Sequence, residues 1–151
     1  MDVKTAIFHY CNYQERSHKE VRNKLYELGC RTDEVEQYLS ELIEVELLNE
    51  QRYAQAIARG KFRLKGWGRN KIVAHLRQQS VSEYCIKKAL QGIDDQEYLY
   101  TLEKLMDKKL SELRSERNYL KKRAKLYAYL LQKGYESRIV TEVYQKLIAG
   151  E

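Results

Sequence analysis

The sequence predicts an all-α protein built of three tandem three-helix, helix-turn-helix-like repeats in an elongated arrangement. Three observations predict it. The chain of 151 residues has no Pro and only seven Gly, so it lacks the residue that most strongly interrupts helices. One helix-turn-helix pattern recurs three times without a gap. Capping residues stand where the recurring pattern needs helix starts. The charged fraction of 33% asks for much exposed surface per residue, which suits an elongated shape.

The repeat aligns Val21–Leu39 with Ile72–Leu90 and Leu126–Tyr144, at offsets of 51 and 54 residues. Val21, Ile72 and Leu126 share one apolar position, and Leu25, Leu76 and Leu130 follow one helical turn later. Gly29, Ser80 and Gly134 then occupy a helix stop, where a left-handed backbone is needed. Cys30, Val81 and Tyr135 come next, as plugs between two helices. Val35, Ile86 and Val140 open the second helix, with Leu39, Leu90 and Tyr144 one turn on.

A helix pair cannot bury its apolar stripes alone, so each unit needs a third helix. The preceding segments supply it, at residues 2–13, 49–64 and 94–117. The expected repeats are therefore 1–48, 49–92 and 93–151, with nine helices in all. Ser17 and Glu20 have capping-box spacing, Asn49 precedes a helix starting near Glu50, and Asp94 stands before Glu97 in the same relation. The third leading helix carries Leu99, Leu102, Leu105 or Met106, Leu110 and Leu113 as its apolar stripe.

Charge is unevenly spread. Residues 1–49 have a net charge of −4, residues 50–92 of +8 and residues 93–151 of +2. No Asp or Glu occurs from Gln51 to Ser82, while Arg52–Lys71 holds seven Lys or Arg. At about 100° per residue, Arg59 and Arg63 fall within about 20° of Arg52 on the helix. Tyr53, Ala54, Ile57, Ala58 and Leu64 occupy the opposite half, expected to face the core. Lys61 falls amid that half and is expected to lay its stem along it. The following Lys65-Gly66-Trp67-Gly68-Arg69-Asn70-Lys71 is a loop entering the next helix, whose N-terminus would add a positive dipole end.

An arginine stripe on a helix suits simple solvation or a polyanionic partner. The missing acids favour the partner, because ordinary solvated helices mix signs for i,i+4 pairing. The candidate binding residues are Arg52, Arg59, Arg63, Lys65, Trp67, Arg69 and Lys71. Trp67 fits either a core plug or an exposed contact.

Three motifs resemble the RecX family, bacterial regulators of the recombinase RecA. Arg16–Gly29 (RSHKEVRNKLYELG) looks like its opening signature. Leu47–Lys61 (LLNEQRYAQAIARGK) looks like its central one, and Lys65–Leu76 (KGWGRNKIVAHL) like its Lys-Gly-x-Gly loop and helix. With the repeat, the match covers nearly the whole chain. Val21 stands where the family more commonly has Leu, and Ser80 where Gly is usual.

The resemblance implies tandem three-helix repeats in a curved, elongated monomer. It implies binding to the RecA–DNA filament, which limits filament growth or promotes disassembly. Recombination, ATP hydrolysis and co-protease action of RecA fall as a result, with consequences for DNA repair and the SOS response. Arg52 and Tyr53 match the central motif, for which structural roles are expected. The alternative function is a helical module that contacts DNA phosphates itself, single- or double-stranded, with Trp67 or tyrosines stacking on bases. A scaffold binding only protein is a third reading.

Other chemistry finds little support. His9, His18 and His75 lack metal-ligand spacing, and GWG has no phosphate-loop spacing. No nucleophile constellation stands out, so neither enzyme activity nor a cofactor is expected. Cys11, Cys30 and Cys85 form no CxxC pair and are expected in structural roles in a reducing, cytoplasmic setting. No signal peptide or membrane span is expected.

Overall fold

A computed structural model describes residues 2–150. Among them there are nine α-helices and no strand. They are α1 (Val3–Tyr13), α2 (His18–Glu27), α3 (Thr32–Glu44), α4 (Glu50–Lys65), α5 (Arg69–Gln78), α6 (Glu83–Gln91), α7 (Asp95–Glu112), α8 (Tyr119–Gln132) and α9 (Ser137–Ala149).

The recurring turn has one geometry at all three places. Gly29, Ser80 and Gly134 have φ of +93°, +61° and +103°. Their amides donate to Tyr26, Arg77 and Leu131 carbonyls, each at 3.0 Å. The plug amides of Cys30, Val81 and Tyr135 donate to Leu25, Leu76 and Leu130, each at 3.1, 3.0 and 3.1 Å in turn. These paired bonds satisfy the last carbonyls of α2, α5 and α8. All three plug side chains are buried. Ser80 takes the left-handed conformation without being Gly, which costs about 1 kcal/mol.

Helix starts follow the expected caps. Ser17 and Glu20 form a capping box on α2. Asn49 Oδ1 accepts from the Arg52 amide at 2.8 Å, and Asp94 Oδ2 from the Glu97 amide at 2.9 Å. Asn118 caps α8 by accepting from Lys121 N at 3.1 Å.

Packing divides the chain into two compact units. The first comprises residues up to Ala58 together with His75–Leu90. Its core joins Ile7 and Cys11 of α1, Val21 and Leu25 of α2, Val35, Leu39 and Leu42 of α3, and Leu48. Ser17, only 1% exposed, donates to Gln79 Oε1 at 2.9 Å while accepting from Glu20 N at 3.0 Å. Glu50 reaches from α4 to cap α6, accepting from Ser82 N at 2.7 Å.

The second unit comprises Arg59–Ala74 and the chain from Gln91 onward. Its core holds Phe62 of α4, Ile72 of α5, Tyr98, Leu102 and Met106 of α7, Leu126 and Leu130 of α8, Tyr135, and Val140 of α9. The Tyr98 ring stands 5.8 Å from that of Phe62 and 5.1 Å from that of Tyr135. The unit boundaries fall within α4, within α5 and before the last residue of α6, so these packing units are not the three repeats. The repeat ranges 1–48, 49–92 and 93–151 remain our proposal.

Three sequence expectations need correction. Leu64 is 87% exposed, not in the core. The buried row of α4 runs Ala54, Ala58, Phe62, an i, i+4, i+8 ridge that drifts about 40° per step around the axis. By the last turn it has moved away from Leu64 and onto Phe62. On α7 the buried row is Tyr98, Leu102, Met106, with Leu99 exposed. That helix also stops at Glu112, before the expected residue 117.

Candidate binding site on the basic segment

The candidate residues divide by environment. Arg52 belongs to the first unit. Its Nε pairs with Glu15, and its Nη2 donates to the Glu46 carbonyl at 2.8 Å. Glu46 has φ of +61°, just past α3, so Arg52 ties down a strained helix end. The other candidates lie in the second unit.

Arg69 is a packing residue. Its side chain is 21% exposed and bridges Glu136 at 3.1 Å and Asp95 at 2.7 Å. Its guanidinium carbon lies 3.8 Å from the Tyr98 ring centre. The Arg69 amide donates to Tyr98 Oη at 2.9 Å, and that hydroxyl donates to Glu136. Burial, then the Glu136 carboxylate, pushes the Tyr98 phenol well above its ordinary pKa, so it stays a neutral donor.

The N-terminus of α5 is also spoken for. Gly68 N donates to the Lys133 carbonyl at 2.8 Å and Asn70 N to the Gly134 carbonyl at 2.9 Å. With Arg69 N on Tyr98, three of the first amides are bonded within the chain. The expected positive dipole end therefore adds to the local field, while these amides are used within the chain. The glycines of the loop do allow close backbone approach, but to the α8–α9 turn. A Cβ on Gly68 would lie 2.4 Å from the Gly134 carbonyl group, and one on Gly134 would lie 2.4 Å from Lys71 Cβ. Tyr135 Oη adds a bond to the Gly66 carbonyl at 2.9 Å.

What remains is a set of cations. Arg59, Arg63, Leu64 and Lys65 are exposed; Lys61, Trp67 and Lys71 are half-buried. Arg63 Nε stands 3.5 Å from Glu97. Among the described residues, Arg59, Lys61, Lys65 and Lys71 have no carboxylate partner. The ammonium groups of Lys61 and Lys71 lie 5.0 and 4.6 Å from the Trp67 ring centre. Trp67 thus props two lysines by cation–π attraction. Lys61 is half-buried, and its head lies against this ring rather than standing free in water.

Sequence reasoning missed Lys133 and Lys108. Lys133 Nζ donates to the Lys65 carbonyl at 2.7 Å. Burial holds its pKa below the ordinary lysine value, with Lys71 and Lys108 adding to the effect. Both residues lie outside the acid-free run, so no local pattern marks them. Among the described residues no group of three or more His, Cys, Asp or Glu stands close enough to hold a metal ion, and no helix is long and apolar enough to cross a membrane.

Three family models match the chain: the first three-helix domain of RecX over residues 4–42, the second over 49–90 and the third over 95–144. The chain is 35% identical over 137 residues to the regulatory protein RecX of Clostridium perfringens strain SM101, covering 90% of this chain and 64% of that protein. It therefore spans about two thirds, and slightly less, of the clostridial relatives it matches. Its identity to the regulatory protein RecX of Prosthecochloris aestuarii is 26%, over 93% of this chain and 90% of that one. The crystal structure of RecX from Lactobacillus salivarius superposes with a TM-score of 0.85 at 27% identity, covering 97% and 94% of the two chains.

Proposed function

The chain belongs to the RecX family, and from that premise we propose that it binds the RecA–DNA filament and inhibits RecA. Inhibition acts by blocking filament growth or promoting disassembly, and RecA recombinase, ATPase and co-protease activities fall together. The chain works in the cytoplasm and as a monomer on this reading.

The observation that carries the proposal is the cationic end of α4 and the turn after it. Arg59 and Lys65 stand exposed there, with no carboxylate partner among the described residues. An unpaired cationic face attracts a polyanion and speeds encounter with it. Leu64 projects between Arg63 and Lys65 at 87% exposure, an apolar contact that a protein partner would use and a bare phosphate would not. Arg52 and Arg69, already engaged in ion pairs, are better read as supports than as contacts.

The test is co-sedimentation with preassembled RecA filaments on single-stranded DNA. Wild-type chain is expected in the pellet. Arg59→Glu/Arg63→Glu, with unchanged helicity by circular dichroism, is expected in the supernatant. A well-folded double variant that pellets as wild type does would remove this face from the account.

A further inference from the structure

The turn at Gly66 and Trp67 gathers lysines from distant parts of the chain. Lys61 and Lys71 rest on the Trp67 ring, at 5.0 and 4.6 Å from its centre. Lys133 arrives from the end of α8 and is fastened to the Lys65 carbonyl at 2.7 Å. Its Nζ lies 3.8 Å from where a Cβ on Gly66 would stand. Gly134 sits against the Lys71 Cβ, so the stems of Lys71 and Lys133 start from touching segments. Among the described residues none of these three lysines pairs with a carboxylate.

We propose that Lys61, Lys71 and Lys133 form a phosphate-binding site around the Gly66–Trp67 turn, which takes a phosphodiester of a nucleic-acid backbone. The choice of nucleic acid over other polyanions rests on the proposed function; the site itself rests on the geometry. Surface lysines ordinarily swing freely and lose that freedom on binding. Here three ammonium heads are already held, two by an aromatic ring and one by a carbonyl, so less order has to be imposed when the anion arrives. Burial and two neighbouring cations also lower the pKa of Lys133, and an incoming anion would relieve that repulsion. Ammonium groups act as point charges, suited to phosphate rather than to fork-like pairing with carboxylates.

The site also gives the third repeat a role. Lys133 is its contribution, from the C-cap of α8, while Lys61 and Lys71 come from the basic segment. Trp67 is then a prop for cations rather than a platform for bases.

The test is fluorescence anisotropy of a labelled oligothymidylate titrated with the chain at several KCl concentrations. Each phosphate contact contributes about 0.7 to the slope of log affinity against log salt on single strands. Lys71→Gln is expected to reduce the slope by about 0.7, and Lys61→Gln/Lys71→Gln by about 1.4. Lys87→Gln/Lys88→Gln on α6 removes the same charge elsewhere and is expected to keep the wild-type slope. Equal slopes for the two double variants, or no salt-dependent binding by the wild type, would overturn the site. RecA inhibition measured in parallel separates the two proposals. Intact inhibition with an unchanged slope sinks only the lysine site. A slope that falls as expected, with RecA unaffected by the wild type, supports the site and sinks the proposed function.

Discussion

Replacing Gly68 by Ala probes the contact that closes the basic loop onto the α8–α9 turn. The new Cβ would stand 2.4 Å from the Gly134 carbonyl carbon and oxygen and 2.5 Å from Tyr135 N. Heavy atoms rest at about 3.5 Å or more, so the segments must part by about 1 Å. That opening stretches three hydrogen bonds across the contact, from Gly68 N at 2.8 Å, from Asn70 N at 2.9 Å and from Tyr135 Oη to the Gly66 carbonyl at 2.9 Å. At about 1 kcal/mol each, with about 1–3 kcal/mol for overpacking, the loss is about 4–6 kcal/mol. Urea unfolding followed by far-UV circular dichroism measures it. Gly60→Ala is the internal control. It lies inside α4 with nothing within 4 Å of the added Cβ, so it should gain about 0.5–1 kcal/mol. A Gly68→Ala loss below about 1 kcal/mol would refute the reasoning.

Two further outcomes are expected. Ser80→Gly relieves a left-handed φ of +61° and should raise stability by about 0.5–1 kcal/mol in the same assay; a loss would contradict the shared turn geometry. Burial pushes the Cys11 thiol from 9.0 up to about 11, so iodoacetamide at about pH 8 should label it only after unfolding. Because that pKa is raised in the folded state, its stabilising contribution is complete below about pH 9 and is lost as pH rises through about 11. Cys11→Val lacks this term and should lose less stability than wild type between those values. A parallel decline would contradict the assignment.

The turns were legible because their causes are local. Gly29, Ser80 and Gly134 end helices through bonds to residues a few positions back, and Ser17 caps α2 through Glu20. Periodicity also found most of the core. It failed where tertiary contacts choose among local options. A helical wheel assumes one straight core face, while α4 follows a ridge that leaves Leu64 outside and buries Phe62. Arg69 counted as a free cation because Glu136 and Asp95, its partners, lie outside the acid-free run. The same blindness hid Lys133, which only folding brings to Lys65 and Lys71. The loop glycines were visible, but the partner they accommodate is the chain's own backbone.

RecA-dependent ATP hydrolysis on single-stranded DNA, with the wild-type chain titrated in, reads RecA inhibition itself. Hydrolysis is expected to fall progressively and reach a low plateau as the chain fills its sites on the filament. An unchanged rate at more than one chain per helical turn of filament would contradict the proposed function.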